Sequence, residues 1–299
     1  MSVCEQLKIY ADVLENEAMK KHTTFRIGGE VDYYIYPKDI LGFIRIIDIL
    51  KENEIPFRVV GRGSNLLWDD KSYKGAVICL DHGLNDSFFE ENGMLVAYAG
   101  CSIINLSVEA AKHSFTGLEF ATGIPGSLGG GLYMNAGAYK SDLSSIVDSV
   151  LVYAENNLVW MKKEDLKFGY RKSLFQQHKD WIILAAKFQL KKGDQKEILN
   201  LMESRKTRRV ESQPLDKPCA GSVFRNPESM PAWKIIEDLG LRGYQIGGAQ
   251  VSLKHCNFIV NANGQAKAQD VRDLISLIQA QAKEKYNVDM ITEVEQVIW

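Results

Sequence analysis

The sequence predicts a mixed α+β protein of about two domains. Three observations carry that expectation: a β-α-β pattern over residues 31–60, a run of strand pairs and tight turns from about 75 to 190, and a helix with one apolar face near residue 275. A length of 299 residues is enough for about two domains with substantial cores. The net charge of −2 and the absence of a basic stripe argue against a dedicated nucleic-acid binder. No apolar run nears the ~18 residues that a membrane span requires. Residues 1–10 have neither the basic nor the apolar region of a signal peptide, so a cytoplasmic protein is expected. Five cysteines, at 4, 79, 101, 219 and 256, are odd in number, widely spaced and free of any C-x-x-C pair. Neither a zinc site nor a disulfide framework follows from them, and no metal is expected.

Residues 31–36 are β-branched and aromatic, and Pro37 closes the run as a strand. Apolar residues then recur at Ile40, Phe43, Ile44, Ile47 and Leu50, one helical face, with Asp39 placed to cap it. Ile55-Pro56 breaks that pattern, and 57–60 is a short apolar strand. Immediately after it comes Gly61-Arg62-Gly63-Ser64-Asn65, at the strand end where ligands gather in α/β units. These residues supply backbone and side-chain donors for phosphate oxygens, and Arg62 adds positive charge.

A strand is expected at 75–80, and Asn92-Gly93 marks a hairpin between 87–91 and 94–99. Ser102 can cap a helix over 103–113. Residues 117–139 read G-L-E-F-A-T-G-I-P-G-S-L-G-G-G-L-Y-M-N-A-G-A-Y and hold seven of the 24 glycines. Inside regular structure each glycine costs roughly 0.5–1 kcal/mol against alanine, so their clustering asks for a compensating role. A row of backbone N–H groups facing a pyrophosphate supplies one, with Pro125 fixing φ and Leu128 opening a short helix with unpaired donors. The alternative is a glycine-rich turn packed under a sheet. Neither glycine loop fits the dinucleotide fingerprint G-x-G-x-x-G in its usual setting or the P-loop pattern.

Strands over 146–153 and 158–161 flank Asn156-Asn157 as another hairpin, and 181–190 is a further strand. A helix is expected over 196–210, its basic run at 205–209 being a solvated face. Strands follow within 243–252 and 257–261, then a helix whose Val271, Leu274, Ile275 and Ile278 form a core stripe.

The order H-T-T-F-R-I-G-G (22–29), G-R-G-S-N (61–65), G-I-P-G-S-L-G-G (123–130) and N-A-G-A-Y (135–139) resembles the UDP-N-acetylenolpyruvoylglucosamine reductase (UDP-N-acetylmuramate dehydrogenase) family. Three further segments fit its patterns. Residues 168–173 fit F-x-Y-R-x-S, 220–227 fit A-G-S-x-F-[KR]-N-P, and 290–294 fit L-x-x-E-V with methionine first. The short link after Leu190 leaves no room for the tyrosine-bearing loop of some members, so the short type is expected. The resemblance implies a two-lobed FAD-binding domain of the vanillyl-alcohol-oxidase (PCMH) type over 1–192, with lobes of about 1–78 and 79–192. A substrate domain over 193–294 and a terminal strand 295–299 returning to the first lobe complete the expected organisation. Residues 61–68 contain no histidine, so FAD is expected to be held non-covalently.

Cofactor contacts are implied for Gly61, Arg62, Gly63, Ser64, Asn65, Gly123, Ile124, Pro125, Gly126, Ser127, Gly129 and Gly130. Substrate contacts are implied for Tyr170, Arg225, Asn226, Arg242 and Gln250, with both arginines standing where lysine is common. The implied reaction passes hydride from NADPH through FAD to the enolpyruvyl ether of UDP-N-acetylglucosamine. Charge then accumulates beside the substrate carboxylate. Arg171 can hold it with paired N–H donors, and Glu293 can help only as a neutral acid. Ser222 lacks a G-x-S-x-G elbow and a histidine partner, which suits a proton donor better than a nucleophile. A monomer binding only small molecules is expected. Two other functions fit parts of the pattern: a sugar or alcohol oxidase of the same flavin superfamily, and a flavin-free nucleotide-binding regulator.

Overall fold

The computed structural model describes all 299 residues, which group into two compact units. The first comprises 1–15, 33–62 and 75–208, and the second 16–32, 63–74 and 209–299.

In the first unit, a four-stranded sheet runs in the order Ala11–Ala18, Glu30–Pro37, Tyr73–Cys79, Phe57–Val60. The β-α-β pattern is present, but its two strands are not neighbours. Tyr73–Cys79 lies between them and pairs in parallel with Phe57–Val60, from Phe57↔Ala76 to Val60↔Cys79. Burial explains the order: Ala76, Val77 and Ile78 are fully buried and take an interior position, whereas Phe57–Val60 is half-buried throughout and takes the edge.

Helix Ile40–Glu52 starts where Asp39 Oδ1 accepts from the Gly42 amide at 2.6 Å. It buries Phe43, Ile46, Ile47 and Leu50 completely, and each such side chain contributes roughly 1.5–3 kcal/mol relative to exposure. Helix Val3–Tyr10 packs on it and opens with a reciprocal cap: the Glu5 amide donates to Ser2 Oγ at 3.2 Å and the Ser2 amide to Glu5 Oε2 at 2.7 Å.

A five-stranded antiparallel sheet follows in the order Asn157–Lys162, Val147–Ala154, Ile182–Gln189, Met94–Tyr98, Ser87–Phe89. The Asn92-Gly93 turn is as expected, with Gly93 at φ +88° and Asn92 Oδ1 accepting from the Met94 amide at 2.8 Å. The second hairpin turns one residue earlier than Asn156-Asn157 suggests. Ala154 pairs with Asn157, and Glu155 and Asn156 at φ +51° and +62° make the turn. Positive φ at both centres matches strand twist, and Asn156 Oδ1 is held by the Tyr153 hydroxyl at 3.2 Å. Helix Ile103–Lys112 is capped by Ser102 and adds Ile103, Leu106 and Ala110 to this core. Helix Gln195–Ser212 begins two residues after the short strand Lys191–Lys192, so the connection is as short as expected. Its Ile198 and Met202 pack on Ala111.

In the second unit, helix Ala268–Tyr286 buries the expected stripe of Val271, Leu274, Ile275 and Ile278. It packs against a sheet ordered Gln245–Ile246, Ala249–Val251, Ile259–Asn261 and against helix Ala232–Asp238. Strand Glu295–Val297 pairs in parallel with Leu66–Trp68. Among the cysteines only Cys219 is not fully buried, and burial pushes Cys79 up to about 12 and Cys101 up to about 11. No helix is long and apolar enough to cross a membrane.

Candidate active site

Two glycine loops meet in the first unit. A Cβ placed on Gly61, just beyond strand Phe57–Val60, would stand 2.3 Å from Ser127 Oγ, so a side chain here would displace that hydroxyl. Ser127 caps helix Leu128–Tyr133, its Oγ accepting from the Gly130 amide at 3.4 Å. The expectation of unpaired donors at the start of that helix needs correction. The Leu128 amide donates to the Cys101 carbonyl and the Gly129 amide to the Ala99 carbonyl, both at 2.8 Å, because the helix is seated on the chain after strand Met94–Tyr98. The Ile124 amide likewise donates to Ala121.

Amides of the two loops without a protein acceptor include those of Arg62, Gly123, Gly126 and Ser127. Ser127 is buried, so its amide wants an acceptor from outside the chain. Gly126 is held at φ +133°. Arg62 Nε stands 3.8 Å from Asp81 Oδ2, an exposed pairing that leaves most of the guanidinium available.

Arg171 sits in a two-residue turn of the same unit. Gly169 and Lys172 exchange amide–carbonyl bonds at 3.0 and 3.1 Å, and between them Tyr170 is exposed and Arg171 has φ +55°. Glycine is the easy residue at such a position. Its Nη2 donates to the Gly137 carbonyl at 2.9 Å, and its carbonyl accepts from Gln176 Nε2 at 3.1 Å.

The second unit gathers Asn65, Glu293 and the chain beside Ser222. Gly63, at φ +63°, leaves a built Cβ only 2.0 Å from the His22 carbonyl oxygen, and its own carbonyl accepts from the Thr24 amide. Ser64 beside it is half-buried. Asn65 Nδ2 donates to the Glu293 carbonyl at 3.0 Å, and the Glu293 amide donates to the Val223 carbonyl at 2.7 Å. Glu293 therefore precedes strand Glu295–Val297 and does not lie on it.

Ser222 follows Gly221, which has φ +76°. The residues after it are clamped by Asn257, which sequence reasoning passed over. The Phe224 amide donates to Asn257 Oδ1 at 3.0 Å, Asn257 Nδ2 donates back to the Phe224 carbonyl at 2.8 Å, and the Val223 amide donates to the Asn257 carbonyl. An asparagine inside the apolar run 256–260 was the available signal, since a buried amide needs partners.

Of the remaining substrate candidates in this unit, Arg225 carries a buried Nε with no partner. Asn226 Oδ1 accepts from the Ala232 amide at 3.1 Å, Gln250 Nε2 donates to the Gly243 carbonyl at 3.0 Å, and Arg242 is bonded to Glu237 and to the Leu253 carbonyl.

Two family models match the chain, one described as FAD binding domain over residues 31–157 and one as UDP-N-acetylenolpyruvoylglucosamine reductase, C-terminal domain, over 213–297. The UDP-N-acetylenolpyruvoylglucosamine reductase of Bacillus pumilus (strain SAFR-032) is 46% identical over 284 residues, covering 95% of this chain and 93% of the relative. The chain belongs to the UDP-N-acetylenolpyruvoylglucosamine reductase family. The Bacillus subtilis (strain 168) reductase is 43% identical over the same shares. The crystal structure of the reductase from Thermus caldophilus superposes with a TM-score of 0.81 at 30% identity, covering 96% of this chain and 99% of that one.

This reductase family member is an FAD-containing oxidoreductase of peptidoglycan precursor synthesis, with an FAD-binding domain and a C-terminal reductase domain in a mixed helix-and-sheet fold. A flavin-free regulator is thereby set aside. The residues present fit the cofactor: unpaired amides at 62, 123, 126 and 127 and an exposed arginine form a donor set for a diphosphate.

Proposed function

We propose that the protein reduces UDP-N-acetylglucosamine enolpyruvate to UDP-N-acetylmuramate with NADPH as reductant. The observation that carries this reading is Arg171, kept in a left-handed turn where glycine would be easier and anchored through one guanidinium nitrogen to Gly137. FAD, which the loops at 61–65 and 123–130 would hold without a covalent link, would supply the hydride chemistry between NADPH and the terminal vinyl carbon of the substrate.

The protein's part is to hold that cofactor and to manage charge and proton. The amides of Arg62, Gly123, Gly126 and Ser127 bind the diphosphate, joined in this reading by Gly61, Gly63, Ser64, Asn65, Ile124, Pro125, Gly129 and Gly130 as neighbouring surface. The guanidinium of Arg171 stabilises the charge that develops beside the substrate carboxylate. Glu293 is the second residue assigned to that charge. The Ser222 hydroxyl delivers the proton that completes the addition at the carbon bearing the ether oxygen. Arg225 is the best placed residue for a substrate phosphate, since its buried Nε lacks an internal acceptor. Tyr170 and Gln250 contribute smaller contacts, while Asn226 and Arg242 contribute only by giving up bonds they already make. The same reading makes 1–192 the cofactor part and 193–294 the substrate part of a cytoplasmic monomer.

Rapid mixing of the Ser222→Ala variant separates the two half-reactions. Reduction of the flavin by NADPH should keep its rate, and reduction of the sugar nucleotide should slow by about 10²–10⁴-fold. Equal slowing of both would remove Ser222 from the proton-donating role.

A further inference from the structure

Asn135 is 1% exposed and its side chain makes three hydrogen bonds, using both amide N–H donors and one carbonyl lone pair. It follows helix Leu128–Tyr133 and the capping residue Met134, at φ +42°, the left-handed position at which asparagine commonly ends a helix. Its Nδ2 donates to the Gly169 carbonyl at 2.9 Å and to Asp142 Oδ2 at 3.2 Å, and its Oδ1 accepts from the Ser144 amide at 3.0 Å.

Those partners share one neighbour, Arg171. Gly169 is the first residue of the turn that carries the Arg171 backbone. Asp142 pairs with Gly137 across the small hairpin of strands Gly137–Ala138 and Ser141–Asp142, and the Gly137 carbonyl accepts from Arg171 Nη2. The turn of that hairpin, Tyr139 and Lys140, has φ +54° and +62°, and Tyr139 is pinned by its hydroxyl to the Arg205 carbonyl at 3.1 Å. One buried amide therefore ties the segment that presents the arginine to the segment that aims its guanidinium.

We infer that Asn135 is a positioning residue for Arg171 in substrate reduction. It touches neither substrate nor cofactor in this role. It sets the distance between the Gly169 turn and the Gly137 acceptor, and a displacement of about 1 Å in a charge-stabilising group can lower a rate by on the order of 10²-fold. Helix Leu128–Tyr133 is held at its start by Ser127, Cys101 and Ala99, none of which depends on Asn135, so flavin binding and its reduction by NADPH are insulated from the substitution. The inference rests on the proposed role of Arg171.

The test uses the FAD-loaded enzyme and three variants. Asn135→Gly keeps the left-handed backbone and removes only the amide. Asn135→Asp keeps the acceptor for Ser144 but sets an oxygen against Asp142 and the Gly169 carbonyl. Arg171→Ala reports on the proposed role itself. Thermal melts and FAD dissociation constants are measured first, then flavin reduction by NADPH and its reoxidation by the enolpyruvyl sugar nucleotide under anaerobic rapid mixing.

The expected result for Asn135→Gly is unchanged FAD affinity and NADPH step with reoxidation slowed by about 10- to 100-fold. Asn135→Asp should be slowed at least as much, and the Asn135→Gly/Arg171→Ala double variant should be no slower than Arg171→Ala alone. If Arg171→Ala slows reoxidation but Asn135→Gly does not, or if the two effects simply multiply, the inference is overturned while the role of Arg171 stands. If Arg171→Ala leaves reoxidation untouched, the role of Arg171 is what fails, and the inference fails with it.

Discussion

Arg171 and Gly137 form a contact in which local strain and charge are set against each other. A non-glycine residue at φ +55° is disfavoured by roughly 1–2 kcal/mol, and the bond from Nη2 to the Gly137 carbonyl offsets part of that. Arg171→Gly should therefore leave the unfolding free energy from urea denaturation within about 1 kcal/mol of the parent. Substrate reduction should fall by about 10²–10³-fold, the usual effect of removing a charge-stabilising donor. A large loss of stability would instead make this arginine a structural residue.

His255 makes a different prediction. Burial holds its imidazole below the ordinary value, with Arg242 adding to the shift in smaller measure, and Nδ1 accepts from the Asn257 amide at 3.2 Å. The unfolded chain takes up this proton at the ordinary value, near 6.5, and the folded protein only at lower pH. Just below that value the unfolded state thus binds more protons, and stability rises with pH through the window. Its contribution is complete above the unfolded value and is lost as pH falls toward the folded one. Denaturation midpoints from pH 5 to 8 should show a shallower acid-side fall for His255→Asn than for the parent, and parallel curves would exclude His255 as a source of the dependence.

At the scale of elements, the contact between the two glycine loops governs cofactor binding. Gly61→Ala places a methyl group where Ser127 Oγ now stands, and the serine can yield only by abandoning its cap on the Gly130 amide. Overpacking of this kind costs about 1–3 kcal/mol, which corresponds to about 10- to 100-fold weaker FAD binding in a fluorescence titration. Ser127→Gly removes the obstructing hydroxyl, so the double variant should bind FAD more tightly than Gly61→Ala alone. A double variant no tighter than the single one would show that the loops do not meet as described.

At the scale of the whole molecule, the legible parts are those written in short-range pattern. Asp39 before a helical stripe, Asn92-Gly93 between alternating strands, Ser102 before residues 103–112 and the stripe through Ile278 each specify an element from a few neighbours. The pairing of distant segments escapes such patterns. Nothing local places Tyr73–Cys79 between Glu30–Pro37 and Phe57–Val60, and the helix amides of Leu128 and Gly129 are taken by Cys101 and Ala99, more than twenty residues back.

The first helix was legible in principle, through Ser2 and Glu5 as a capping box, but its eight residues carry a weak apolar stripe. In the site, the glycines and Arg171 stand out because their motifs are unusual. Asn135 and Asn257 do not, since a buried asparagine is recognised only by the partners it holds.

The reaction ties these levels together, and one anaerobic experiment tests it directly. The FAD-loaded protein is mixed with one equivalent of NADPH and then with UDP-N-acetylglucosamine enolpyruvate, while the visible absorption of the flavin is followed. The band should bleach on the first addition and return on the second without oxygen, with UDP-N-acetylmuramate as product. A protein that takes up no FAD, or a band that stays bleached after the sugar nucleotide is added, would contradict the assignment.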